Sequence, residues 1–175
     1  GIFKKKEDLK KIYSISDKQY QKYEKFIVID EKLPDNESPI EKIEFVELNS
    51  ATTKQLSTLP SVQNYLAERI IKYRNLLGGF YSSQQLKEVY GFKDKNYTQI
   101  KNYLTIDLNK IKKININFAE YKEIISHPYI DKKITLSILN YKQKNGFYSS
   151  LNQLVKNNVL SKEEYEKLKY YLSVE

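Results

Sequence analysis

The chain of 175 residues is poor in side chains that do covalent or metal chemistry: it has no Cys and a single His. Without cysteine, disulfide frameworks, thiolate metal sites and cysteine nucleophiles are excluded. His127 directly precedes Pro128 and has no second ligand or base near it in sequence, so its expected role is structural. No segment assembles a nucleophile, a base and an oxyanion donor, so neither enzymatic activity, nor a cofactor, nor a metal is expected. What the chain does supply is cationic charge, with 30 Lys and Arg against 22 Asp and Glu, a net +8. Such an excess suits a polyanionic partner, although a solvated surface needs no more explanation than solubility.

The charge is unevenly placed. Residues 1–30 are net +3, residues 31–47 net −4, residues 48–108 net +4 and residues 109–175 net +5. The acidic stretch contains Pro34 and Pro39 and reads as a linker. The three basic segments repeat one another. Pro60, Tyr73, Leu86, Tyr97 and Leu104 recur 68 positions later as Pro128, Tyr141, Leu154, Tyr165 and Leu172. Phe3, Leu9 and Tyr20 stand 77 positions before Phe80, Leu86 and Tyr97. The expected organisation is therefore the second half of a unit (1–30), an acidic linker (31–47) and two full units (48–108 and 109–175). The chain is expected to open inside a repeat, as part of a longer protein.

Each full unit reads as four short helices, making the fold class all-α. Thr52 and Gln55 have capping-box spacing, and the helix they start ends before Pro60. Leu66, Ile70, Tyr73 and Leu77 form one face of a second helix over 64–77, stopped by Gly78 and Gly79. Phe80 then docks in the core, and Ser82 with Gln85 caps a third helix that buries Leu86 and Val89. Gly91 ends it, and the fourth helix presents Tyr97, Ile100, Tyr103 and Leu104. In the last unit the same places fall to Phe147, Ser149, Leu154, Tyr165, Leu168, Tyr171 and Leu172. In the first they fall to Phe3, Leu9, Ile12, Tyr20, Tyr23, Phe26 and Ile27. The tyrosine stripes are expected in the core, and Asn49 and Asn117 are expected to tie down the chain entering each unit. No apolar run approaches the ~18 residues of a membrane span.

Two short helices joined by a tight turn with an apolar centre form a helix-hairpin-helix. Paired hairpins joined by a Phe-Ser connector resemble the domain of ComEA-type DNA-uptake proteins. The matching residues are Asn49, Ala51, Thr52, Leu56, Leu59, Pro60, Ile70, Tyr73, Arg74, Gly79, Phe80, Ser82, Gln85, Leu86, Gly91 and Leu104. The last unit matches at Asn117, Ala119, Pro128, Ile138, Tyr141, Lys142, Gly146, Phe147, Ser149 and Leu154. The resemblance implies tandem helix-hairpin-helix units that bind duplex DNA without sequence preference, in a competence or DNA-uptake setting. It also implies an extracytoplasmic or periplasmic location, with an anchor outside this chain; no membrane contact is expected of the chain itself.

In such hairpins a Gly-apolar-Gly turn brings the N–H groups of the next helix close to a phosphate, and nearby lysines release counterions. The five hairpins here read Ser14-Ile15-Ser16, Ser61-Val62-Gln63, Gly91-Phe92-Lys93, Tyr129-Ile130-Asp131 and Val159-Leu160-Ser161. The apolar centre is kept in every one, but only Gly91 fills a glycine place. Asp131 puts a carboxylate where a phosphate would sit, at a Coulomb cost that Lys132 and Lys133 partly offset. The expected DNA contacts are Ser14, Ser16, Lys18, Ser61, Gln63, Asn64, Gly91, Lys93 and Lys95, with Lys132 and Lys133. Ser16 with Gln19 and Ser161 with Glu164 also have ordinary capping-box spacing. The missing glycines keep an alternative open: a structural or protein-interaction array that retained the fold and lost DNA binding.

Overall fold

The computed structural model describes residues 17–26 and 45–175. The chain divides into two compact units, Gly1–Lys42 and Ile43–Glu175. In the first, α1 (Asp17–Tyr23) runs into a 3₁₀ turn, Glu24–Phe26. Tyr20 is buried and its hydroxyl donates to Glu24. Tyr23, expected in the same buried stripe, is instead 51% exposed. Phe3, Leu9, Ile12 and Ile27, and the side chain of Phe26, lie outside the described residues.

The second unit holds two copies of one helical pattern. The first copy comprises α2 (Thr53–Leu56), α3 (Asn64–Leu77), a 3₁₀ helix (Ser83–Glu88) and α4 (Asp94–Ile100). The second comprises α5 (Tyr121–Ile125), α6 (Lys132–Asn145), α7 (Asn152–Lys156) and α8 (Lys162–Leu168). The caps follow the sequence. Thr52 and Gln55 close a reciprocal box at 3.3 and 2.9 Å, and Gly78 ends α3 at φ +86°. Leu66, Ala67, Ile70 and Leu77 bury the inner face of α3 against Phe80, Leu86, Val89 and Ile100.

Each copy is closed by a feature that local periodicity does not reveal. Val46–Glu47 (β1) pairs in parallel with Leu104–Thr105 (β2), and Ile114–Asn115 (β3) with Leu172–Ser173 (β4). Leu104 and Leu172 thus finish the units as strand residues, not as the last turn of a helix. Asn49 holds this closure. Its side chain donates to Phe80 O (3.0 Å) and Asp107 O (3.1 Å) and accepts from Phe80 N. Asn117 repeats the arrangement with Tyr148 and Val174 O. Arg74 donates to Leu48 O and Ala51 O, and Lys142 to the carbonyls of Ile116, Asn117 and Ala119. Burial works against the Glu47 carboxylate, but hydrogen bonds from Ser50, the Asn49 and Asp107 amides and Lys110 outweigh it and hold the pKa down at about 2.

Two expectations need correction in the second copy. Phe147 is 64% exposed, and Tyr148 takes the place of Phe80, 2% exposed with its hydroxyl on Ile138 O. The 68-residue register runs unbroken through this stretch, so Tyr148, not Phe147, is the equivalent of Phe80. Ser149 likewise caps no helix: α7 starts after Leu151, and only the Ser149 N–H is used, donating to Gln153.

The copies are joined by polar contacts around Gln85, which is 3% exposed. Its Oε1 accepts from Tyr81 N and Ser82 N, completing the predicted cap. Its Nε2 donates to the Tyr129 and Tyr171 hydroxyls, both at 2.8 Å. Tyr171 donates to Gly79 O and packs in the core of the first copy, not its own. Tyr129 and Tyr73 both donate to Glu88, and Tyr81 stacks on Tyr170 at 4.4 Å. Lys112 N donates to Gly78 O, so close that a Cβ on Gly78 would lie 2.5 Å from Lys112 O.

Candidate nucleic-acid interface

The hairpins of the first copy are built on the same β-turn. Val62 N donates to Leu59 O and Phe92 N to Val89 O, burying Val62 and Phe92. The third turn residue needs positive φ, which suits glycine. Gly91 sits there at +85°. Ser61 adopts +60° without being glycine, a conformation that costs a side-chain-bearing residue roughly 1–2 kcal/mol. Asn96 offsets part of that cost. Its Nδ2 donates to Ser61 O (3.1 Å) and Ser61 Oγ (3.2 Å), while its Oδ1 accepts from Lys93 N (2.9 Å). One side chain therefore binds both hairpins of the copy into a single surface.

Helix α3 opens onto this surface without a side-chain cap at Gln63. Leu66 N and Ala67 N both donate to Gln63 O, which leaves the earlier amides at the helix start without an intrahelical acceptor. Ser61, Gln63 and Asn64 are exposed, with Asn64 accepting from Ser57. Gly91, Lys93 and Lys95 are exposed beside them, and the intervening Asp94 is ion-paired with Lys87 at 2.8 Å. The surface thus offers N–H groups without an intrahelical acceptor and two lysines whose neighbour in sequence, Asp94, is already paired. The glycine at 91 has an internal reason as well: a Cβ there would stand 2.6 Å from Arg69 Nη1.

The hairpins of the second copy are occupied by their own side chains. Asp131 caps α6 by accepting from Ile134 N at 2.7 Å. Tyr129, in the place of Ser61 and Gly91, turns into the junction with the first copy and bonds Glu88. Ser161 and Glu164 close a full capping box on α8, with Glu163 in the same first turn. The turn before α8 differs in form: Val159 N and Leu160 N both donate to Leu154 O, and positive φ moves back to Asn158. Lys132 and Lys133 are exposed in the first turn of α6, directly after the capping carboxylate.

Of the remaining predicted contacts, Lys18 is exposed on α1, in the other compact unit. Ser14 and Ser16 lie outside the described residues. Sequence reasoning missed Asn96, whose N3 position in α4 after Lys93 marks it as a capping group. It also missed the exposed aromatic residues Tyr65 and Tyr90, which belong to none of the tyrosine stripes.

The family model for the helix-hairpin-helix motif matches this chain twice, over residues 41–105 and 109–173. Among curated proteins the chain is similar to endonuclease/exonuclease/phosphatase family domain-containing protein 1 of several vertebrates. The mouse (Mus musculus) protein is 26% identical over 142 residues, covering 65% of this chain and 25% of the relative. The Danio rerio protein is 27% identical over 150 residues, covering 75% and 27%. The human (Homo sapiens) protein is 25% identical over 142 residues, covering 65% and 25%. The chain thus spans about a quarter of the length of these relatives. No solved structure matches it.

Proposed function

The chain belongs to the helix-hairpin-helix family, and from that premise we propose that it binds duplex DNA without sequence preference, through the hairpins of its first copy. The family's motif suggests nucleic-acid binding in general; the choice of copy rests on one observation. The Ser61 and Gly91 hairpins are tied into one surface by Asn96, with the start of α3 uncapped, whereas the second copy's helix starts are filled by Asp131, Ser161 and Glu164. A phosphate at 61–64 meets backbone N–H groups and the positive end of a 14-residue helix. Lys93 and Lys95 add charge that is in no ion pair among the described residues. None of these groups reaches for base edges, so affinity is to be sequence-independent and salt-sensitive.

Titration of the chain into random-sequence duplex DNA is expected to give a log–log salt slope of roughly −2 to −4, for two to four neutralised phosphates at about 0.9 each. Lys93→Glu with Lys95→Glu is expected to weaken binding more than Lys132→Glu with Lys133→Glu, an equal change of charge. Equal losses would replace the hairpin contact by diffuse attraction, and no binding at low salt would refute the reading. The DNA-uptake setting and extracytoplasmic location stay with the ComEA resemblance. The chain spans only about a quarter of the relatives, so nothing of the activity in their name is carried over and the proposal is confined to DNA binding. A second reading, contact with a protein through the second copy, has one observation behind it. Phe118 and Phe147, 71% and 64% exposed, pack edge to face at 5.4 Å on its surface.

A further inference from the structure

Beside the Gly91 hairpin lies a surface that the duplex reading leaves unused. Tyr65, Arg69, Lys72 and Leu76 follow at i, i+4, i+7 and i+11 along α3, on the face turned away from the core. Tyr65 is 52% exposed and Tyr90, which immediately precedes Gly91, is 83% exposed. The Arg69 guanidinium lies 5.4 Å from the Tyr65 ring centroid and 4.9 Å from that of Tyr90, and Nη1 donates to Tyr90 O at 3.2 Å. Arg69, Lys72, Tyr73, Leu76, Val89 and Tyr90 line one shallow groove. Among the described residues no carboxylate lines it: Glu68 is outside it, and Glu88, which accepts from the Tyr73 hydroxyl, is turned to the junction with Tyr129.

We propose that this groove binds single-stranded DNA, with unpaired bases stacking on Tyr90 in its lining and on Tyr65, which flanks it across Arg69, and the phosphates following Arg69 and Lys72. Two cations without a counter-charge among the described lining residues call for an anionic partner, and two exposed aromatic rings call for a partner with flat π surfaces. Single-stranded DNA supplies both at once. A duplex does not, because its bases show only their edges in the grooves. The guanidinium holds both rings in place before binding, so little side-chain freedom is lost on stacking. The inference rests on the nucleic-acid reading above but not on the hairpin contacts, which lie around 61–64 and 91–95.

The test compares three probes on the intact chain: an oligothymidylate of about ten nucleotides, an abasic phosphodiester chain of the same length and charge, and a duplex. The thymidylate is expected to bind at least about 5-fold more tightly than the abasic chain. Tyr90→Ala is expected to abolish that difference and Tyr90→Phe to keep it, with duplex affinity unchanged in both. Because Tyr90 is exposed, the circular dichroism of both variants should match the parent. Equal binding of thymidylate and abasic chain by the parent protein, with duplex binding intact, would overturn the inference. That result would leave the groove to a protein partner and the hairpin reading standing. Thymidylate binding undiminished in Tyr90→Ala would overturn it as well. Failure of all three probes would overturn both readings together.

Discussion

His127 makes the attachment of the two copies sensitive to pH. Its ring is 3% exposed, against Tyr171 at 4.5 Å between centroids and Tyr129 at 5.5 Å. Nδ1 accepts from Tyr129 N (3.2 Å), so the proton of the neutral ring is on Nε2, which donates to Leu77 O (3.1 Å). Burial disfavours the charged ring and outweighs the Leu77 carbonyl, bringing the pKa from 6.5 to about 4. Unfolded chain therefore takes up the proton first, between about pH 6.5 and 4. Stability is fully present above that window and falls as pH drops through it. The linkage relation gives a loss of about 2 kcal/mol between pH 7 and pH 5, approaching about 3 kcal/mol below pH 4. Urea denaturation at pH 7 and pH 5, of the parent and of His127→Gln, isolates this contribution from that of the carboxylates. The parent should lose about 2 kcal/mol more than the variant on acidification. Since the chain has one histidine, its imidazole resonance can be titrated without assignment. A midpoint near 6.5, or equal losses in parent and variant, would refute the reasoning.

Two further outcomes follow from the packing. Tyr148→Ala should cost roughly 3–5 kcal/mol in chemical denaturation and Phe147→Ala less than about 1 kcal/mol, because only the first side chain is in the core; the reverse order would restore the one-residue-shifted alignment. Gly91→Ala should destabilise by about 1–2 kcal/mol, from positive φ, and displace Arg69 from Tyr90; an unchanged melting curve would show that the turn relaxes.

The repeat itself, α3 over its full span, the capping boxes at Thr52, Ser82 and Ser161, and the roles of Asn49 and Asn117 were legible in the residues. All but the asparagine bonds arise between neighbours a few positions apart, where spacing and residue type decide the outcome. The asparagines announced themselves by recurring at the same place in both units. The candidate site was legible only in outline: the Ser61 and Gly91 hairpins were named, but not the side chain that ties them together.

What the sequence could not yield depends on partners far away in the chain. Nothing near Leu104 or Leu172 marks a strand, because a two-residue parallel pairing exists only once Val46 or Ile114 lies alongside. By type Phe147 and Tyr148 are equally plausible core aromatics; only the 68-residue spacing favours Tyr148, and the backbone bonds to Asn117 fix it there. Gln85 reads as a cap, and a cap it is, but its other amide group reaches Tyr171, 86 residues on. The same holds for function. Sequence alone determined a family of turns able to face a phosphate. Tertiary structure decided which turns are open: Tyr129 is drawn into the junction, Asp131 and Glu164 satisfy their own helices, and Asn96 holds the Ser61 and Gly91 hairpins together. The physical reason is that an amide can serve a ligand only where no group of the protein already satisfies it, and that accounting closes only in three dimensions.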